Sequence, residues 1–222
     1  MRDSKAIQIV AALVTMGAVA AMMIAERGGF ATGVNAAPHR AAGAELARQA
    51  LSLMKPGGRI TVITRDTTAF QNPASDFLLE GFQRELRRAH ASISDIHRLQ
   101  VDPLRLIEVP PGDFQDWIHH AAAGDVIVSF MGPPLLTAEQ RRQLGEIQPT
   151  IVAFCPGGWP DRVDFRPLFA QGLLRAAIVS RCDQRSATVH SQKFDQNFTV
   201  VTAANVDDFM AAAGKPATSK SP

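Results

Sequence analysis

The residues whose types suit chemistry gather where apolar, strand-like runs give way to turns. Arg65, Asp66, Thr67 and Thr68 follow the run 59–64 (RITVIT), and Met131, Gly132, Pro133 and Pro134 follow 125–130 (DVIVSF). Cys155, Pro156, Gly157, Gly158 and Trp159 follow 150–154 (TIVAF), and Arg181, Cys182 and Asp183 follow 174–180 (LRAAIVS). Together they offer hydrogen-bonding side chains, an Arg65–Asp66 charge pair, glycine backbone that a ligand approaches closely, and one aromatic surface in Trp159. Such a set suits a small polar ligand. It is equally what results if Pro and Gly simply turn the chain and Arg65 and Asp66 pair with each other.

Catalytic templates fail on spacing. A phosphatase loop needs Cys and Arg separated by five residues, whereas six separate Cys155 from Arg162. A phosphotransferase of the dehalogenase kind needs two aspartates spaced by one, and Thr64 stands where the first would precede Asp66. The chain has no Walker A loop, no G-x-G-x-x-G, no G-x-S-x-G and no H-E-x-x-H. His119 and His120 are adjacent and diverge by about 100° on a helix; Asp116 and His120, four apart, supply only two ligands. No metal or cofactor is expected, and Cys155, Asp66 and Arg65 are what an enzyme reading would have to use.

Composition excludes other classes. Hydrophobic residues make up 46% and charged residues 20% of the 222, a globular balance once an apolar segment is allowed for. Net charge is +2, and outside residues 1–25 it is +1, so there is no electrostatic footprint for nucleic acid. The run Arg84, Arg87, Arg88, His90, His97 and Arg98 is interleaved with Glu85 and Asp95, as on a solvated helix face. Two cysteines make neither a disulfide framework nor a zinc site.

These residues need elements to position them. Residues 6–25 (AIQIVAALVTMGAVAAMMIA) are apolar and uncharged, enough at 1.5 Å per residue to cross about 30 Å of hydrocarbon. Arg2 and Lys5 precede the segment, which favours a cytoplasmic N-terminus and an extracytoplasmic domain. A cleaved signal peptide is the rival, with small residues at 31–36; either way the domain is exported. The expected organisation is an anchor at 1–25, a connector at 26–43, an α/β domain at 44–213 and a disordered tail at 214–222.

Within the domain, strand-like runs alternate with amphipathic helical ones, the pattern of βαβ units. The expected fold is a doubly wound, mostly parallel sheet of five or six strands with helices on both faces. Helices are expected at 44–55, at 75–89 with Ser75 as N-cap, at 114–122, at 138–147 with Thr137 as N-cap, at 165–171 and at 206–213. The second strand is either 94–101 or 104–109, and 198–202 is the last. In an open parallel sheet, ligands lie beyond the strand C-terminal ends where strand order reverses. That rule collects Arg65, Asp66, Thr67, Gly132, Cys155, Gly157, Gly158, Trp159 and Arg181 into one rim. In the order 2-1-3-4-5, Cys155 and Cys182 leave neighbouring strands at the same end, so a disulfide and two separate thiols are both open.

The runs RITVITRD, GFQRELRR, GDFQDWIHHAAAGDVIVSF and TIVAFCPGG, over residues 57–182, resemble one lobe of a type I periplasmic substrate-binding protein. That family closes two lobes on its ligand, and this chain has room for one, so a second chain would have to supply the other half of the cleft. Joined to the anchor read from residues 6–25, the resemblance implies a membrane-anchored extracytoplasmic domain that binds a small polar ligand or a protein partner. An enzyme using the same rim, or a structural subunit of an envelope complex, are the alternatives.

Overall fold

The apolar runs pair edge to edge in the computed structural model, which describes residues 34–68, 72–101, 108–145, 148–181 and 194–213. The apolar segment 6–25, Cys182 and the tail 214–222 lie outside the described residues, as does most of 104–109. Among the described residues no helix is long and apolar enough to cross a membrane.

The element order is α1 (Ala36–Leu53), β1 (Ile60–Arg65), α2 (Pro73–Arg88), β2 (Asp95–Leu99), α3 (Pro111–His120), β3 (Val126–Ser129), α4 (Ala138–Gln143) and β4 (Thr150–Cys155). A 3₁₀ turn (Trp159–Asp161), α5 (Arg166–Ala170), β5 (Ala176–Ser180), α6 (Phe194–Asn197), β6 (Phe198–Thr202) and α7 (Val206–Ala213) follow. The described strands form one sheet in the order β2-β1-β3-β4-β5-β6. The first five are parallel and β6 is antiparallel to β5. Strand β2 falls within the 94–101 alternative.

Central strands β3 and β4 are buried along almost their whole length, which is why they read as unbroken apolar runs. One face carries Val62, Val126, Val128, Val152 and Ile178 against α1 and α2; the other carries Ile63, Ile127, Ile151, Ala153 and Val179 against α3, α5 and α7.

Three of the boundaries that differ from the sequence reading do so for a local reason. Helix α1 starts at Ala36, inside the expected connector, because the Asn35 side chain accepts from the Ala37 N–H and caps it. Those extra turns bury Pro38, Ala42 and Gly43. Helix α2 is capped by Asn72 rather than Ser75, with Pro73 in its first turn, where a missing N–H costs nothing. Helix α4 stops at Gln143, although Thr137 does cap it, in a reciprocal capping box with Gln140.

Helices α1 and α2 lie side by side in the same direction: Arg40 pairs with Glu80, and Arg48 with Glu85. Gly43 and Gly81 sit at the contact, and a Cβ on either would stand 2.0 Å from the Leu78 carbonyl oxygen or 2.1 Å from that of Arg40. Since α2 descends from the end of β1 to the start of β2, α1 too begins at the strand C-terminal end. There the His39 ring lies edge-on to Phe198, the first residue of β6, at 6.4 Å.

Candidate functional site

Strand order reverses between β1 and β3, so the switch point lies where these two strands end. At the end of β1 the backbone is fixed by the Asp66 N–H donating to the Leu99 carbonyl at 2.8 Å. The Asp66 carboxylate turns back on its own loop and accepts from the Thr68 N–H at 3.0 Å and the Thr68 hydroxyl at 2.8 Å. Those two bonds, aided by Gln100 and Arg98, hold it below the usual carboxylate range. Asp66 is thus ionised and satisfied through Thr68, while the Thr67 hydroxyl donates to Asp76 at 3.3 Å.

The β3 and β4 ends are closed. Met131, Gly132, Pro133 and Pro134 are all buried, and the Gly132 N–H donates to the Phe154 carbonyl at 3.0 Å. Gly132 has φ +99°, and a Cβ there would stand 2.3 Å from Cζ2 of Trp159. The indole therefore packs directly on the glycine, and Trp159 is only 8% exposed. It is a plug between the β3 and β4 loops, which corrects its reading as an open aromatic surface.

Cys155 is corrected in the same sense. As the last residue of β4 its side chain turns into the core cluster to which Trp159 and Phe165 also belong, fully buried, with a free thiol whose pKa burial pushes up. Such a thiol neither meets a ligand nor ionises as a nucleophile. Of the remaining rim residues, Gly157 and Gly158 are exposed, Gly157 at φ +71° in the turn leading to Trp159. Arg181 is exposed too; its N–H donates to the Asn197 carbonyl at 3.0 Å and its Nε to that of Phe198 at 3.4 Å, which moors it to the start of β6. At this end the fold leaves Arg65, Asp66 and Thr67 half-buried and Gly157, Gly158 and Arg181 exposed, with Trp159 buried between the β3 and β4 loops.

Two open clefts lie elsewhere among the described residues. One, of about 420 Å³, lies at the strand N-terminal ends between α3 and the β1–β2 edge; a second, of about 340 Å³, lies beside α4 and is lined by Arg141, Arg142 and Gln148. The sequence reading did not single out Thr61, Asp95 or Trp117, which line the first; paired-strand register is what puts Thr61 beside Asp95. Among the described residues no group of three metal-ligating side chains converges. Asp116 and His120 do not form a pair of ligands: the His120 ring bonds the Asp116 backbone carbonyl instead.

No family model matches the chain, and no curated protein is similar to it. Solved structures are. Among them are AraP, an arabinose-binding protein from Geobacillus stearothermophilus (16% identity, TM-score 0.51, 77% of this chain and 63% of that one) and a periplasmic ribose ABC transporter from Conexibacter woesei (10%, 0.53, 78% and 60%). A XylFII–LytSN complex is similar too (13%, 0.51, 75% and 60%). The resemblance to type I periplasmic substrate-binding proteins therefore holds as a likeness of fold. The chain spans less than two thirds of the length of these structures.

Proposed function

We propose that this chain is a membrane-tethered, extracytoplasmic interaction domain of substrate-binding-lobe type, whose strand-end rim meets a protein surface. The tether is the apolar segment 6–25, read with its basic flank as an anchor with a cytoplasmic N-terminus. The observation that carries the reading is the plug: Trp159 packs on Gly132 between the β3 and β4 loops, so the one aromatic ring beside the β1–β3 switch point is turned inward and not offered to a small solute. A rim of charged side chains and exposed glycines around a buried indole suits a macromolecular face better than an enclosed ligand. A likeness to a protein–protein complex, XylFII–LytSN, is in keeping with this use of the fold. The likeness to arabinose- and ribose-handling proteins favours a second reading, in which a sugar binds at the rim once a partner completes the cleft.

Site-specific photo-crosslinking in intact cells tests it. A photo-reactive residue at position 67 or 158 is expected to give a discrete protein adduct, and one at Arg87, on the exposed face of α2, is expected to give none. The isolated chain is expected to show no thermal stabilisation by arabinose, ribose or xylose. Stabilisation by a pentose with no rim adduct would replace this reading with solute binding by the single lobe.

A further inference from the structure

We propose that the first turns of α1 are a latch that opens on acidification, with His39 as the group that takes the proton and the Phe198 end of β6 as the surface released. The device is independent of the reading above, since it needs neither the tether nor a partner at the rim.

His39 is the fourth residue of α1 and is half-buried, its ring edge-on to Phe198 at 6.4 Å. Phe198 in turn meets Phe154 of β4 at 5.6 Å and Phe194 of α6 at 5.8 Å, so the ring lies against an aromatic cluster. Against that wall Nδ1 is buried and has no hydrogen-bond partner. A neutral imidazole tolerates this by carrying its one proton on Nε2. Imidazolium does not, because both of its nitrogens donate and the second proton would sit on Nδ1 with nothing to accept it.

Two other influences act against the charge. Burial takes it out of water and lowers the pKa of His39 from its ordinary value. The first turn of an 18-residue helix is also the positive end of the helix dipole, where a cation is disfavoured. No carboxylate compensates. Of the charges on the surrounding elements, Arg40 is drawn to Glu80 of α2 at 2.8 Å, Asp76 takes the Thr67 hydroxyl, Arg181 is moored to the Phe198 carbonyl and Asp195 of α6 is exposed. Strands β4 and β6 carry no charge.

The closed state therefore holds His39 neutral, and the charged ring is favoured only where α1 has let it into water. Because the folded pKa is lowered, the opened turn binds more protons, and the latch loses stability as pH falls below about 6.5 toward the folded value. The opening has a natural limit. Pro38 and Ala42 are buried along with the ring, but Gly43 is packed on the Leu78 carbonyl, so release runs from the Asn35 cap to Ala42 and stops at the α1–α2 contact.

Hydrogen exchange on the full chain, corrected for the intrinsic pH dependence of amide exchange, tests this. From about pH 7.5 to about pH 5, amides 39–42 are expected to lose protection about threefold or more, while amides 82–86 of α2 keep theirs. H39F, which keeps a ring against Phe198 but takes no proton, is expected to hold its protection at both pH values. If H39F does not fold, H39Q reads the same comparison. Unchanged protection in wild type overturns the proposal, as does an equal loss in the variant or an equal loss in α2. So does a His39 ring resonance, assigned by its absence from the variant's spectrum, that titrates at or above about pH 6.5.

Discussion

Asp125 joins three chain segments at the N-terminal end of the sheet: the start of β1 through Arg59, the turn after α3 through Ala122, and β3, which it precedes. Its side chain is 7% exposed. Burial alone would raise its pKa, but the N–H donors of Ala122 and Arg59, with the Arg59 charge, outweigh it and hold the carboxyl below its ordinary value. A carboxyl depressed on folding adds stability above its unfolded pKa of about 3.9 and loses it as pH falls through the lower folded value. D125A is therefore expected to cost about 2 kcal/mol in urea unfolding at pH 7, the scale of hydrogen bonds to a charged group. That deficit should shrink as pH drops below about 4, where wild type loses the same contribution. The sequence reading had Asp-Val-Ile opening a strand, and the reason is now physical: the aspartate ties β3 to β1. What the local sequence did not reveal is that its main partner, Arg59, stands 66 residues earlier.

At the scale of elements, the helix pair over one face of the sheet depends on Gly43 and Gly81. Replacing a helical glycine by alanine ordinarily gains up to about 1 kcal/mol, yet here each new methyl would meet backbone at 2.0–2.1 Å. G43A and G81A are expected to reverse the usual sign and destabilise by about 1–3 kcal/mol, read as a lowered urea midpoint with unchanged slope. Central strands were legible because burial on both faces leaves an uninterrupted apolar run. Edge strand β2, DIHRL, is half exposed and gave no such run, so its place was left open between two segments. The first turns of α1 were read as connector because AAPHRAAG has little apolar contrast; the Asn35 cap was the signal that would have found them.

Across the whole molecule, α1 is what covers the face of β3, β4 and β5 that the crossovers α3, α4 and α5 leave bare, since those helices pass on the other side. Leu46, Ala42 and Ala50 are fully buried in that position. A chain beginning at residue 35 is expected to unfold cooperatively, and one beginning at residue 56 is expected to bind hydrophobic dye and lack a cooperative transition; calorimetry distinguishes them. The position of the rim was legible in the sequence because strand order and the switch-point rule place it. Which side chains it exposes was not, because that depends on the packing of Trp159 on Gly132 and on Cys155 turning inward from β4. The course of α1 has one more consequence. The chain enters this domain at the same pole as its rim, beside Phe198. For a domain held by its N-terminal segment, the stalk then leaves from the mouth rather than the base, and the nine residues 26–34 reach at most about 30 Å.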